Sequence, residues 1–204
     1  MPTRHIKPPS FDKAKIKPFN SDEVQNIMNL AKVDNYRFYL AIAFYTGMRS
    51  GEIIGLKKSD INFEKQTITV QRTRSRFGES TPKTEGSKRE LPILELLMPY
   101  IIKLYEKHDN EYLFITQYKK SYRDTTVFVE RYWRPTLKEL GLEYRRPYNC
   151  RHTYATNMLY KNLITPVQLA QLLGHSNAQM VYDVYVSYID KFNVEFDRSI
   201  SIYK

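Results

Sequence analysis

The stretch YNCRHTYAT at residues 148–156 opens a helix that the sequence predicts over residues 149–161. Tyr148 and Arg151 stand three residues apart, so they project from one face, a single turn apart, if the helix already includes both. The stretch therefore places a phenol beside a cation at the start of a helix.

Two more helices are predicted after this stretch, over residues 166–173 and from about 178 to 189. Pro166 is suited to the first helical position and Gly174 to the helix end. His175 follows Gly174 directly, so it lies at a helix end rather than in a buried stripe. The last helix carries three tyrosines at intervals of three residues: Tyr182, Tyr185 and Tyr188.

Three helices are predicted near the other end of the chain. Asn20 with Glu23 is typical of a capping box, the second helix ends at Gly47, and the third begins at Ser50. Arg49 therefore lies beside the free N–H groups of a helix start, where anions are favoured. A single arginine in a turn is more often simply solvated, so the position alone leaves both interpretations open.

The middle of the chain changes character. Residues 67–70 are β-branched, residues 88–93 are a possible partner strand, and between them lie four basic residues, Arg72, Arg74, Arg76 and Lys83. Helices resume over about 94–107, a short strand is predicted at 112–114, and a helix from Thr125 is kinked or broken at Pro135. The pattern predicts a mostly α chain with a small antiparallel β-sheet or hairpin, an α+β fold.

Charge and composition indicate a nucleic-acid partner. The 204 residues hold 32 Lys and Arg against 22 Asp and Glu, a formal net charge of +10. Phosphates neutralised by such a surface release counterions, which favours nucleic acid over a merely solvated basic surface. The apolar stretch 38–48 is too short to span a bilayer, so we expect no membrane contact and a cytoplasmic location. The single cysteine, Cys150, excludes an internal disulfide and a cysteine-based zinc cluster.

These residue types suit phosphoryl transfer. Two arginines can hold the non-bridging oxygens of a phosphate and stabilise the charge that develops at five-coordinate phosphorus. A nearby tyrosine hydroxyl could attack, provided that cations help the phenol to ionise and that a lysine or histidine protonates the departing oxygen.

Four blocks carry a resemblance to a known family: TGMRSGE at 46–52, TPKTEGSKR at 81–89, YNCRHT at 148–153 and LLGHS at 172–176, followed by a tyrosine. From about residue 19 to residue 188, the chain resembles the catalytic domain of the tyrosine recombinases, the phage integrase family. The resemblance implies that fold and a DNA strand-transfer enzyme that needs neither metal, cofactor nor ATP. Such enzymes cut DNA by tyrosine attack, leave a 3′-phosphotyrosyl link and a free 5′ hydroxyl, and reseal to another strand.

The resemblance also implies residue roles. Arg49 and Arg151 would clamp the phosphate, Lys83 would protonate the leaving 5′ oxygen, and His175 would hydrogen-bond the phosphate. Lys88, beyond Gly86, is the competitor of Lys83. The predicted catalytic set is Arg49, Lys83, Tyr148, Arg151, His175 and Tyr185.

Two departures from the family pattern affect the site. Tyr148 stands where most of the family has histidine, and a phenol can donate a hydrogen bond to phosphate but cannot act as a neutral base near pH 7. The usual nucleophile position, nine residues after His175, is Val184. We therefore assign Tyr185, ten residues after His175, ahead of Tyr182 and then Tyr188.

Two further residues have open roles. Glu52 is interpreted as a support for Arg49, or as an ordinary acid in the first turn of a helix. His152 is interpreted either as a support for Arg151 or as a core histidine with satisfied hydrogen bonds.

The resemblance suggests the organisation of the chain. Residues 1–19 are interpreted as a basic, proline-rich arm or interdomain linker, residues 20–189 as the catalytic domain, and residues 190–204 as a tail that either packs on its own domain or is exchanged between protomers. The expected partners are double-stranded DNA and other protomers, as a tetramer in the synapse and a monomer or weak oligomer when free. Integration, excision and inversion stay open, and the alternatives are a non-catalytic DNA-binding regulator or a type IB topoisomerase-like enzyme.

Overall fold

Helices surround a small antiparallel sheet in the computed structural model, which describes residues 16–81 and 88–189, with side chains described as far as Tyr185. The helices of this part are α1 (Ser21–Leu30), α2 (Asp34–Thr46), α3 (Ser50–Ile54), α4 (Met98–Glu106), α5 (Thr126–Phe128), α6 (Arg134–Glu139), α7 (Asn149–Tyr160), α8 (Pro166–Leu173) and α9 (Gln179–Ile189), with a 3-10 turn at Lys58–Asp60 and a π-helical turn at Val129–Trp133. The strands are β1 (Ile61–Asn62), β2 (Thr67–Val70), β3 (Thr73–Ser75), β4 (Gly78–Ser80) and β5 (Arg89–Pro92). The predicted α+β class is confirmed.

The central strand β2 pairs antiparallel with β1 on one side and β5 on the other, with Ile68 opposite Leu91. This confirms the predicted pairing across residues 67–93. Strands β3 and β4 lie between β2 and β5 along the chain and form a separate two-stranded hairpin. The sequence interpretation did not resolve this hairpin. Because side chains alternate along a strand, β5 buries Arg89 together with Leu91.

The core is built around α2, whose side chains are buried on nearly all sides. A helix that is apolar around its whole circumference belongs inside a domain, and α2 packs against α1, α3, α4 and α7. The capping box at Asn20 is present as predicted: its side chain accepts a hydrogen bond from the Glu23 amide, and the Glu23 carboxylate accepts one from the Asn20 amide, both at 2.8 Å.

Phe19, just before α1, ties the chain entry to the core. Its ring lies edge-on to Phe44 and Trp133, with centroids 6.0 and 5.6 Å away. Its backbone N–H donates to the Thr153 hydroxyl at 2.9 Å. Residues 1–15 of the predicted arm and the whole predicted tail 190–204 lie outside the described residues.

Pro135 does not break its helix. The helical backbone continues from Thr126 to Glu139, and the π-helical turn Val129–Trp133 stands directly before the proline. Since proline offers no N–H to the preceding turn, the wider turn accommodates the missing bond. Trp133 is thereby held in the core, where its indole N–H donates to the Arg145 carbonyl at 2.7 Å.

One predicted strand and one predicted helix start are wrong. Residues 112–114 form no strand: Tyr112 makes one isolated bridge with Lys57, and the segment crosses the core in irregular conformation with Leu113 N bonded to the Leu56 carbonyl at 2.9 Å. Helix α4 begins at Met98 rather than near residue 94, because Pro99 is tolerated only in the first helical turn. Along the described chain, none of the helices combines the length and the apolar character that crossing a membrane requires.

Gly47 provides a test of how closely α2 and α7 pack. Its φ is +64°, and a Cβ there would lie 2.6 Å from Tyr154 Cδ1, whereas Gly141 has φ +65° with no atom within 4 Å of such a Cβ. We expect Gly141→Ala to reduce the free energy of unfolding by about 1–2 kcal/mol, the cost of left-handed backbone alone. Gly47→Ala should cost about 1–3 kcal/mol more, since Tyr154 must move. Urea unfolding of both variants measures the difference, and equal losses would contradict the packing argument.

Candidate active site

The Arg151 guanidinium joins the ends of two helices. Arg151 lies on α7 and is only 1% exposed. Its Nη1 donates to the carbonyl of Gly47, at the end of α2, at 3.0 Å, and its Nη2 donates to the carbonyl of Leu173, at the end of α8, at 2.6 Å. Helix C-termini carry partial negative charge and carbonyls without helical partners, so both stabilise this buried cation.

His175 completes the surroundings of Arg151. It follows Gly174, the C-cap of α8, and its Nε2 lies 2.9 Å from Arg151 Nη2. Arginine can only donate, so Nε2 accepts and the ring is neutral with its proton on Nδ1. Burial, reinforced by the charges of Arg151, Arg49 and Arg89, lowers the pKa of His175 to about 4. Nδ1 is buried without a hydrogen-bond partner in the described part of the chain, which leaves one N–H for a ligand oxygen.

Glu52 connects two more arginines. Its carboxylate accepts from the Arg49 amide at 2.8 Å and from Arg49 Nη1 at 2.9 Å, which fixes Arg49 at the start of α3. The same carboxylate forms a two-pronged pair with Arg89, at 2.8 and 3.1 Å. Burial alone would raise the pKa of Glu52, but the hydrogen bonds and charge of Arg89, with those of Arg49, lower it.

Arg89 links this pair to the end of α8, since its Nε donates to the Leu172 carbonyl at 2.6 Å. The three positive charges of Arg49, Arg89 and Arg151 are thus opposed by a single negative charge, the carboxylate of Glu52. The group keeps a net positive charge, and Arg49, with 38% of its side chain exposed, offers that charge to solvent. Burial, with the charges of Arg49 and Arg89, lowers the pKa of Arg151 to about 10, so it stays protonated at pH 7. The arrangement suits an anion held between Arg49 and Arg151.

Tyr148 lies at the N-cap of α7 and keeps helical dihedral angles. Its side chain is 44% exposed. The Arg151 Cζ lies 6.0 Å from the centre of its ring, and the His152 ring meets it edge-on at 4.9 Å. Tyr148 thus lies beside Arg151 and His152 with part of its side chain open to solvent.

The three candidate nucleophiles are placed differently. Tyr185, on α9, is 2% exposed, and its hydroxyl lies 2.8 Å from His152 Nδ1. Burial raises the pKa of Tyr185, and the charge of Arg151 opposes this. Tyr182 is 42% exposed, and the Tyr188 side chain lies outside the described residues. Of the three, Tyr185 is the one whose described hydroxyl reaches the surroundings of Arg151.

The structure therefore brings together Arg49, Tyr148, Arg151, His175 and Tyr185, which the sequence separates by more than 130 positions. Lys83 lies outside the described residues, while Lys88 is exposed directly before β5. No group of three His, Cys, Asp or Glu side chains suited to a metal ion is found where side chains are described.

Two residues of the site have roles that the sequence interpretation missed. Arg89 ends the motif at 81–89 without a predicted role, although its alternation with buried Leu91 in a strand is a signal that it points inward. His152 is predicted to support Arg151 or to lie in the core, yet it contacts Tyr185 and Tyr148. The spacing of four residues between Tyr148 and His152 predicts their contact. The contact between His152 and Tyr185 is not predicted, because it depends on where α9 docks.

Comparisons with known proteins agree on a single family. A family model described as the phage integrase family matches residues 17–191. A protein named tyrosine recombinase XerC-like, from Caldanaerobacter subterraneus, is 29% identical over 202 residues, covering 86% of this chain and 51% of the relative. Prophage integrase IntR of Escherichia coli is 27% identical over 221 residues, covering 95% and 53%. The chain thus spans about half the length of these curated relatives.

Solved structures show the same fold. The Tn1549 transposon integrase in complex with transposon right end DNA matches with a TM-score of 0.74 at 21% identity, covering 85% of this chain and 62% of that one. The crystal structure of XerA recombinase matches with a TM-score of 0.67 at 23% identity, covering 92% and 63%.

Glu52→Gln tests the buried network. Removing the charge leaves Arg89 buried with a neutral partner, so we expect the free energy of unfolding at pH 7 to fall by about 3–5 kcal/mol. Because the pKa of Glu52 is lowered on folding, this stabilisation is present above its ordinary value of 4.5 and is lost as the pH falls below it. Urea unfolding at several pH values should show the variant and the wild type converging in acid.

The control is Glu143→Gln, which removes an exposed ion pair with Lys17 and should leave stability at pH 7 unchanged. A Glu52→Gln variant as stable as this control would contradict the role of the network.

Proposed function

Because the chain belongs to the phage integrase family, we propose that it is the catalytic part of a site-specific DNA recombinase. It would cleave and rejoin DNA strands through a covalent 3′-phosphotyrosyl intermediate. The observation that carries the proposal is the meeting of three distant sequence blocks, 46–52, 148–153 and 172–176, at Arg151, with the Tyr185 hydroxyl beside the neighbouring His152.

The proposed chemistry follows from the charges. A DNA phosphate bound between Arg49 and Arg151 would receive further hydrogen bonds from the Nδ1–H of His175 and the hydroxyl of Tyr148. Arg151 and His175 Nδ1 are buried, so DNA binding must open the site to the phosphate before these donors reach it. Once the phosphate is seated, the four donors stabilise the additional charge of the five-coordinate state. As in the family, Tyr185 Oη bonds to phosphorus and the bond from phosphorus to the 5′ oxygen breaks.

Each step can run backwards. Lys83 is proposed to give a proton to the leaving 5′ oxygen, and the 5′ hydroxyl of another strand later attacks the phosphotyrosyl bond. The energy of the broken phosphodiester is retained in the new bond, so rejoining consumes no ATP. The residues Arg49, Lys83, Tyr148, Arg151, His175 and Tyr185 form the proposed catalytic set.

The nucleophile must move before it can act. Tyr185 is 2% exposed, so no phosphate of a DNA duplex reaches its hydroxyl in this conformation. We propose that DNA binding shifts α9 enough to admit a phosphate while the contact between Tyr185 and His152 is kept, and that residues 190–204 either pack on their own domain or are exchanged between protomers. The proposed organisation keeps residues 1–19 as an arm or linker and 20–189 as the catalytic domain.

The proposed partners are double-stranded DNA and further protomers, assembled as a tetramer during strand exchange, with action in the cytoplasm. The net charge of +10 and the DNA in the Tn1549 integrase complex support the first partner. A non-catalytic regulator would bind DNA without forming an adduct. A type IB topoisomerase-like enzyme would relax supercoils without joining different strands.

Tyr185→Phe should abolish the covalent adduct, because it removes the attacking oxygen and leaves the ring packed. Tyr182→Phe is the matched control, since Tyr182 lies on the same helix with an exposed side chain. Each protein is incubated in EDTA with end-labelled nicked DNA carrying family recombination sites, denatured, and resolved on a gel. Undiminished adduct with Tyr185→Phe would reassign the nucleophile to Tyr182 or Tyr188.

Lys83→Ala should slow cleavage by about 10²–10⁴-fold, the usual effect of losing a general acid. A substrate whose leaving 5′ oxygen is replaced by sulfur needs no such proton, and it should restore the rate. Lys88→Ala is the control, five residues further on in the same basic segment. Loss and rescue with Lys88→Ala instead would transfer the role to Lys88.

A further inference from the structure

His152 lies in contact with the oxygen that the proposed function makes the nucleophile. On the basis of that function, we propose that His152 is the general base, which takes the proton from the Tyr185 hydroxyl as the oxygen bonds to phosphorus. This role supplies the imidazole that the chain lacks at Tyr148.

The geometry permits direct transfer. His152 Nδ1 and Tyr185 Oη are 2.8 Å apart, and the two ring centroids are 5.8 Å apart. This distance lies within the range needed for a general base, with no water between the two atoms. With the ring proton on Nε2, the lone pair of Nδ1 accepts the phenolic hydrogen.

The other groups around Arg151 are already engaged or have the wrong chemistry. Tyr148 is a phenol, which is no base near pH 7. His175 uses Nε2 to accept from Arg151, so its other nitrogen carries a proton. The Glu52 carboxylate is occupied by two arginines. Among the described side chains, His152 is the group that combines basicity with contact to the Tyr185 hydroxyl.

Electrostatics couple this base to the substrate. In the described residues, the titratable groups facing His152 are Tyr148 and Arg151 from its own helix and Tyr185 from α9. Burial and the charge of Arg151 lower the pKa of His152 to about 4, so the ring is neutral at pH 7 but weakly basic. A phosphate bound at Arg151 offsets that charge, which raises the pKa of His152 and strengthens the base when substrate is present.

The proton count balances. In the forward step the O–H bond of Tyr185 breaks, the proton moves to His152 Nδ1, and the oxygen bonds to phosphorus while the bond to the 5′ oxygen breaks. Lys83 supplies the proton for that oxygen. In rejoining, the incoming 5′ hydroxyl returns a proton to Lys83, and His152 returns one to Tyr185.

His152→Asn separates proton transfer from positioning. The Asn Oδ1 occupies nearly the place of Nδ1 and still accepts a hydrogen bond from Tyr185, but it takes up no proton near pH 7. We expect adduct formation on nicked DNA to slow by about 10²–10⁴-fold, with DNA affinity and thermal unfolding near wild type. His108→Asn, the same substitution at a partly buried histidine near Leu113, is the control and should keep the wild-type rate.

Two readouts distinguish a base from a structural residue. The substrate with sulfur as the leaving atom should rescue Lys83→Ala but not His152→Asn, because it removes the need for an acid only. The wild-type rate should fall as the pH drops through the pKa of His152 in the DNA complex, and this acid limb should be absent in His152→Asn. Should His152→Asn unfold, His152→Ala with added imidazole replaces it, and restoration of the rate is the expected result.

Four results would contradict the proposed role of His152. A His152→Asn rate within threefold of wild type shows that the contact only positions Tyr185, and a faster rate shows that it restrains Tyr185. Rescue by the sulfur substrate assigns His152 to the leaving group instead. A wild-type chain that forms no adduct refutes the proposed function and this inference together. When the wild type forms its adduct normally, a negative result with His152→Asn refutes the role of His152 alone.

Discussion

The arrangement of the site depends on one buried cation held by helix ends. Removing a guanidinium from water is costly, and Arg151 recovers that cost from the carbonyls of Gly47 and Leu173 at the C-termini of α2 and α8. Those carbonyls carry partial charges only. The cation is therefore stabilised without being neutralised, and its field extends to His175 and Tyr185.

Arg89 shows the contrast. Arg89 is also buried, but it is matched by the full charge of Glu52 in a two-pronged pair. Within the described residues, Arg151 makes no such pair with a carboxylate. A paired cation holds α3, β5 and α8 together, whereas an unneutralised one attracts an anion. The partners of each arginine, rather than its burial, thus separate the structural role from the proposed catalytic one.

The chemistry of neighbouring residues allows much of the fold to be predicted. The capping box at Asn20, the stop at Gly47 and the strand formed by the β-branched residues 67–70 are decided by neighbouring residues, and each is present. The predicted strand at 112–114 is wrong because its apolar residues are buried as an irregular crossing, which no short-range pattern distinguishes from a strand. The contacts of Arg89 with Glu52 and of His152 with Tyr185 join residues 37 and 33 positions apart. They depend on how helices dock, and a single sequence does not encode that in its spacing.

Under the proposed function, the same burial that orders the site also keeps it inactive without DNA. With a net charge of +10, the proposed recombinase would bind DNA of any sequence through its phosphates, so a permanently exposed nucleophile would cleave wherever the protein met DNA. Here the Tyr185 hydroxyl is buried and burial raises its pKa, while Arg151 weakens the basicity of the adjacent His152. A phosphate seated on Arg151 removes the second obstacle by offsetting the charge, and movement of α9 removes the first. Two separate conditions must then coincide before a bond is broken: the first arises from the packing of α9 over Tyr185, and the second from the charge of the Arg151 guanidinium.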